Sequence, residues 1–356
     1  MISPESRTRE WIRRKNEEYP YIGNASLIEK TIRAFSLLES LVRSGCPFVF
    51  KGGTALMLHL ESSRRLSIDI DIVCPPGTDI KEYLGRYADE YGFIGVNEIE
   101  RRKRTRVPKS HAEFKYAVSY PSGRPNDHIL LDVLYEDINY SEVVSLPIQG
   151  PFLKTEGPPV MVKCPSLQDL LGDKLTAFAP HTTGIPFFKR GDPFFMEVMK
   201  QLFDISSMLD RVDDISIARK TYRQVVPIEL GYRDLDNLVE NDVLEDTFNC
   251  AKNICLRGAL SKTEFEYYTD GAKRVNEFIL SENYSMERAI RDASKVAYLV
   301  RLVQTGENKV CHYHPELDAR IMGEKIEDPG LNRMNRIKKQ SLEAFFYWKR
   351  IEELGI

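Results

Sequence analysis

The apolar and polar positions of this chain follow two different periods, and the change of period divides it. In the first half the clearest signal is alternation. Leu66-Ser67-Ile68-Asp69-Ile70-Asp71-Ile72-Val73 predicts a strand with one apolar and one polar face. His111 to Tyr120 alternates through Ala112, Phe114, Tyr116, Val118 and Tyr120, and Ile129 to Leu134 is an apolar run broken only by Asp132. The turn cluster Pro121-Ser122-Gly123-Arg124-Pro125-Asn126 separates them, so the two runs predict an antiparallel hairpin. Upstream, the short apolar run Phe48-Val49-Phe50 leads through Gly52-Gly53-Thr54 into an amphipathic segment, Ala55 to Leu60.

The helical period accounts for most of the rest. Ser3 to Glu18 predicts a charged helix with Ser3 as N-cap and Pro4 in its first turn. Ala25 to Arg43 carries Leu27, Ile28, Ile32, Phe35, Leu38 and Val42 near one stripe, and Gly45 ends it. Asp79 to Tyr91 also reads as helical. A Pro-rich connection, Leu146 to Pro165, includes a short edge strand at Val160 to Lys163. Beyond it, Ser166 caps a helix whose stripe is Leu167, Leu170, Leu171, Leu175 and Phe178. Asp192-Pro193 caps another over Phe194 to Leu209. Val243 to Leu256, Lys262 to Leu280, Met286 to Val303 and Leu331 to Leu354 continue the helical pattern. The prediction is an α/β (α+β) protein: a core with a mixed sheet and flanking helices over residues 1–160, followed by a mostly helical domain over 161–356.

Composition agrees with two domains: 356 residues exceed one typical domain, and 42% apolar residues suffice for packed cores. The formal net charge is −3, so any nucleic-acid binding needs a local basic patch. Arg101, Arg102, Lys103, Arg104, Arg106 and Lys109 form one candidate; its plain reading is a solvated face or loop. The six cysteines are scattered without a CxxC pair, which suggests free thiols in a reducing compartment. The first twenty residues lack an apolar signal core, and no run approaches the ~18 apolar residues of a membrane span. The expectation is a soluble cytoplasmic protein with no membrane partner.

The candidate chemistry lies at Lys51 to Val73. On a strand, Asp69 and Asp71 point the same way, roughly 7 Å apart. Carboxylates that close repel unless a proton or cation lies between them. Mg²⁺, or Mn²⁺ as an alternative, with oxygen ligands at about 2.1 Å, satisfies both. A strand that ends in Gly52-Gly53-Thr54 and enters a helix presents backbone N–H groups at a positive helix end, an anion site suited to phosphate. Thr54 and Ser67 add hydroxyl donors. Taken singly, Gly-Gly-Thr is more often a plain turn and DxD a solvated strand end. Ile68, Ile70 and Ile72 mark the opposite face as buried and make the strand real. The combination fits phosphoryl or nucleotidyl transfer from a nucleoside triphosphate.

Two more residues stand out against their surroundings. Asp132 interrupts an apolar strand, and carboxylates are seldom buried without a partner. Its plain reading is a strand-edge carboxylate facing water, and Glu136 and Asp137 are rivals for any third acidic role. Lys174 lies in the inward stripe of its helix, where a lysine either snorkels to the rim or reaches an anion.

Gly-Gly-Thr-Ala-Leu followed by Arg65-Leu66-Ser67-Ile68-Asp69-Ile70-Asp71 resembles the AbiEii-type nucleotidyltransferase toxins, which include the MenT toxins, within the DNA polymerase β-like nucleotidyltransferase superfamily. The resemblance implies that Asp69, Asp71 and a third acid matching Asp132 hold metal. It implies that Gly52, Gly53, Thr54, Arg65 and Ser67 bind the nucleotide, and that Lys174, in Lys174-Leu175-Thr176-Ala177, belongs to the catalytic set. Lys200-Gln201-Leu202-Phe203-Asp204-Ile205 resembles a further pattern that adds Asp204, although Gln201 departs from its first acid. Periodicity alone places Asp204 opposite the apolar stripe, facing solvent. The resemblance further implies a toxin of a toxin–antitoxin or phage-defence system, an RNA acceptor such as the tRNA 3′ end, and a cognate antitoxin as partner. It says little about the C-terminal third.

Other readings remain open at this level. A DxD-type glycosyltransferase, a non-catalytic nucleotide- or RNA-binding module, and a nucleotidyltransferase that modifies a protein side chain are the rivals. Cys311-His312-Tyr313-His314 has donor residues but no common zinc spacing. The terminal Leu331 to Leu354 mixes basic and aromatic residues that suit either RNA or an ordinary packed helix.

Overall fold

The computed structural model describes the chain apart from residues 21, 23, 61–64, 100–106, 121, 122, 281 and 356. Most of the predicted basic run (101–106) therefore lies outside the described residues. The chain forms two compact units, Met1–Ser166 with Glu277–Asn283, and Leu167–Asn276 with Tyr284–Ile356. The fold class is mixed α/β.

The first unit is built on a five-stranded sheet in the order β1-β2-β5-β4-β3. Its strands are β1 (Val49–Lys51), β2 (Ile70–Cys74), β3 (Phe93–Ile99), β4 (Lys109–Ala117) and β5 (Asn126–Tyr135). Only β2 and β5 run parallel; the other neighbours are antiparallel, and β4–β5 is the predicted hairpin. A separate ribbon pairs β6 (Val143–Pro147) with β7 (Met161–Pro165). The helices are α1 (Arg9–Glu18), α2 (Ala25–Arg43), α3 (Gly52–His59) and the single turn α4 (Lys81–Leu84).

Helix α2 covers the apolar face of the sheet, where Ile72, Leu131, Val133, Ala112, Phe114 and Tyr116 are buried. The Arg33 guanidinium lies 4.8 Å over the Tyr116 ring. The other face of the same strands carries Lys51, Asp71, Asp132 and His111, so the pleat separates core from chemistry.

Several boundaries differ from those expected. Strand β2 begins at Ile70, because the residues before it bond elsewhere: the Leu66 N–H donates to Phe278 O (2.8 Å), and Arg65 bridges to Ile279. Residues 278–279 come from a segment expected to be helical through Leu280. Helix α9 (Lys262–Val275) ends earlier, and the chain then re-enters the first unit. The N-terminal helix is split at Thr8, which caps α1. The Asp79 to Tyr91 stretch holds only α4 and a 3₁₀ turn, and β3 and β6 were not predicted.

The second unit is helical: α5 (Leu167–Leu175), α6 (Phe195–Leu209), α7 (Ser216–Tyr232), α8 (Glu240–Cys255), α9, α10 (Met286–Thr305), α11 (Asp318–Gly323) and α12 (Leu342–Glu353). Helix α10 is its axis, packed by α6, α8 and α12. Its Asp292 is fully buried yet satisfied, accepting from Ser206 Oγ (2.7 Å) and Tyr284 OH (2.9 Å); burial raises its pKa. Asp192-Pro193 does not cap α6 but pairs with Phe188–Lys189 in a two-residue ribbon. The expected terminal helix breaks at Ser341, which caps α12. Its aromatic residues are core: Phe345, Phe346, Tyr347 and Trp348 are buried, and the Trp348 indole donates to Ser294 Oγ (3.0 Å). No described helix is long and apolar enough to cross a membrane.

Candidate active site

Strand pairing in the first unit lines up four polar side chains. Lys51 pairs with Asp71, Asp71 with Asp132, and Asp132 with His111, across β1, β2, β5 and β4. Residues paired across neighbouring strands project to the same side, with strands about 4.8 Å apart. Asp71 and Asp132 are thus adjacent on one face. Asp69 lies one residue before β2 and is exposed, and Asp71 and Asp132 are half-buried.

The glycine bend meets this row directly. Gly52 has φ +82°, which only glycine adopts without cost, and a Cβ there would lie 2.1 Å from Asp71 Oδ2. The Asp71 carboxylate therefore occupies the space a side chain at position 52 would fill. A Cβ at Gly53 would lie 2.7 Å from Arg65 Nη2 and 2.9 Å from Ser67 Oγ. Arg65 and Ser67 converge on the second glycine as Asp71 does on the first. Both glycines open α3, and its N-cap residue Lys51 supplies no side-chain cap to the first N–H groups. Arg65 is itself buried, and its Nη1 donates to Leu66 O (2.9 Å), which fixes the guanidinium.

Thr54 has a different part from the one expected. It is fully buried, and its hydroxyl donates to Asp69 O (2.6 Å) rather than presenting itself to a phosphate. It ties the start of α3 to the backbone of the acidic segment. At the far end of α3, His59 Nε2 lies 2.9 Å from Pro165 O, and burial holds its pKa below the usual histidine value. The neutral ring donates that bond and anchors the helix.

His111 was not singled out by sequence reasoning. Its Nδ1 hydrogen-bonds Asp132 Oδ1. A carboxylate can only accept, so Nδ1 carries the proton, and Asp132 Oδ2 is left for other ligands. The signal was present in the alternation of β4, but the pairing register that brings 111 opposite 132 was not.

Lys174 and Asp204 belong to the second unit and form an ion pair, Nζ to Oδ2, of 3.0 Å. Asp204 is fully buried, contrary to its expected solvent-facing position. Lys174 also donates to Gln201 Oε1 (2.8 Å), so the glutamine that departs from the family pattern still accepts from the lysine. Helix α6 is covered on more sides than its apolar stripe indicates, which is why periodicity misplaced Asp204.

Asp71 and Asp132, paired on one face, and Asp69 two residues before Asp71 carry hard carboxylate oxygens of the kind a divalent cation takes, although among the described residues the three are not drawn close enough together to share one ion as they stand. The Gly52 gap lets Asp71 approach the start of α3 without displacing backbone.

The sequence matches the family described as nucleotidyl transferase AbiEii toxin, type IV TA system, over residues 36–276. No curated protein matches it. Among solved structures, a protein from H. pylori assigned as a nucleotidyltransferase shares 15% identity at a TM-score of 0.41. That alignment covers 78% of this chain and 96% of the other. An antigenic nucleotidyltransferase-like protein from Paracoccidioides brasiliensis shares 14% identity at a TM-score of 0.36, covering 59% and 91%. The assignment rests on the family match, which spans the glycine bend, all three acids and the Lys174–Asp204 pair: the chain belongs to the AbiEii family and is a nucleotidyltransferase toxin of a type IV toxin–antitoxin system.

Proposed function

We propose that this nucleotidyltransferase moves a nucleoside monophosphate from a nucleoside triphosphate to a hydroxyl of an RNA acceptor, the tRNA 3′ end being the favoured one. The observation that carries the reading is the paired Asp71–Asp132 position beside Gly52. The α3 N-terminus with Arg65 and Ser67 seats the triphosphate, since backbone N–H groups and a guanidinium complement phosphate oxygens. Asp69, Asp71 and Asp132 would hold a divalent cation, Mg²⁺ or Mn²⁺, which would neutralise the charge that develops on the triphosphate during transfer. Asp132, oriented by His111, takes the proton of the attacking hydroxyl. The α-phosphorus–oxygen bond to pyrophosphate breaks as the new bond forms. Lys174 and Asp204 enter the catalytic set through the family pattern, and their ion pair holds the lysine in place.

The partners are a nucleoside triphosphate, an RNA acceptor and an antitoxin, with the cytoplasm as the site of action. Nucleotidyltransferase membership sets aside the glycosyltransferase and the non-catalytic module. The deciding experiment incubates the protein with total RNA, Mg²⁺ and each α-labelled triphosphate. Label at an RNA 3′ end, absent with Asp69→Ala, is expected. Label on protein instead would overturn the RNA reading and favour side-chain modification.

A further inference from the structure

We propose that His181, Asp246 and Cys250, all within the second unit, form a Zn²⁺ site that shares no residue with Asp69, Asp71 and Asp132. Asp246 and Cys250 are four residues apart on α8 and so share one face. His181 comes from the loop after α5. The donor atoms are His181 Nδ1, Asp246 Oδ1 and Cys250 Sγ, separated by 2.7 Å (N to O), 3.6 Å (S to O) and 4.0 Å (S to N). Zinc bonds of about 2.0–2.3 Å in a tetrahedron require edges of about 3.3–3.8 Å. A sulfur–oxygen or sulfur–nitrogen edge is about 3.5–3.6 Å, so the S–O separation already matches and the S–N separation must close by about 0.4 Å. The short nitrogen–oxygen edge is a hydrogen bond, and it opens when an ion replaces the proton between them.

The surrounding groups are those a metal centre uses. His181 Nε2 lies 3.2 Å from Glu264 Oε1, so the ring nitrogen away from the ion donates to a carboxylate, which orients a ligating histidine and raises its basicity. The second oxygen of Asp246 accepts from the Thr182 hydroxyl and the His181 N–H, both at 2.9 Å, leaving Oδ1 for the ion. The Tyr268 hydroxyl is fully buried without a well-formed hydrogen bond, and it lies against Cys250, where a thiolate would accept from it. The loop is already set: Thr183 Oγ1 donates to Thr176 O (2.7 Å), and a Cβ at Gly184 would collide with Ala179 backbone at 2.4 Å. Three protein ligands leave a fourth position for water. Cys311-His312-Tyr313-His314 forms no such cluster among the described residues. A bound ion would pin the segment that follows Lys174 to α8.

The test uses the whole 356-residue chain and reads metal rather than transfer, because the proposed transfer reaction would use a cation of its own. Zinc content by plasma mass spectrometry should be about one per chain, and Co²⁺ substitution should give a sulfur-to-cobalt charge-transfer band with intense tetrahedral d–d bands. Cys250→Ser should abolish the charge-transfer band, and His181→Gln should remove most of the zinc, with helix content by circular dichroism unchanged. Glu264→Gln, which leaves the three ligands intact, should keep the band and weaken Zn²⁺ affinity about 10- to 100-fold. Wild-type protein that takes up no zinc would overturn the proposal and leave His181 as a clasp between two carboxylates. So would a cobalt spectrum unaltered by Cys250→Ser, or unchanged zinc affinity in Glu264→Gln.

Discussion

Asp71 on β2 and Asp132 on β5 are partners in the sheet's one parallel pairing, and both side chains leave the face that α2 does not cover. Sixty-one positions apart in the chain, they become neighbours because β5 inserts beside β2 rather than beside its hairpin partner alone. Two carboxylates at strand spacing repel, which costs stability without a cation and gains affinity with one. The same pairing row brings in Lys51 and His111, so the sheet register, more than any single motif, assembles the site.

His111 holds one oxygen of Asp132 without itself joining the acids. It is a positioning residue. His111→Ala should lower kcat roughly 10- to 100-fold, the range of a lost hydrogen bond to a charged group, while KM for the triphosphate stays near wild type. Initial-rate kinetics on labelled triphosphate provide the check, and an unaltered kcat would contradict the assignment.

Gly52 and Gly45 offer a matched pair. Both have positive φ, +82° and +81°, but a Cβ at Gly45 meets nothing within 4 Å, whereas one at Gly52 strikes Asp71 Oδ2. Alanine at either position should cost about 1–2 kcal/mol of backbone strain, seen as a drop of a few degrees in Tm. Only Gly52→Ala should also lose transfer, by at least about tenfold, because the carboxylate must move. Equal activity in the two variants would separate the glycine bend from the chemistry.

Lys174 and Asp204 pair in a buried setting, so removing one charge strands the other. Lys174→Met should destabilise the protein by about 3–5 kcal/mol, and adding Asp204→Leu should restore most of that. Thermal unfolding measures both. If the lysine serves the reaction, the restored double variant stays inactive; a stable and fully active double variant would reduce the pair to a structural one.

The sequence made some of this legible and hid the rest for identifiable reasons. Alternation with a two-residue period exposed Asp69, Asp71 and Asp132, because a half-buried strand must segregate its faces. Ala25–Arg43 was readable to the residue from its apolar stripe and its Gly45 terminus. Three features depended on long-range pairing and were not readable. The Thr54 hydroxyl is consumed by Asp69 O, the Arg65–Leu66 segment is held by residues 278–279, and His111 faces Asp132 only through register. Asp204 was misplaced because helical periodicity sees one apolar stripe, while α6 is covered by neighbours beyond it. The split at Ser341 was missed because its capping serine lies inside a continuous basic and aromatic pattern.

The most direct measurement is single-turnover transfer of labelled nucleotide by Asp71→Asn and Asp132→Asn, with circular dichroism to verify folding. Each substitution keeps shape and removes one negative charge from the paired position. The account predicts folded proteins with transfer reduced on the order of 10²–10³-fold or more in both, since each oxygen acts on charge that develops only in the transition state. Wild-type transfer rates in either folded variant would contradict it.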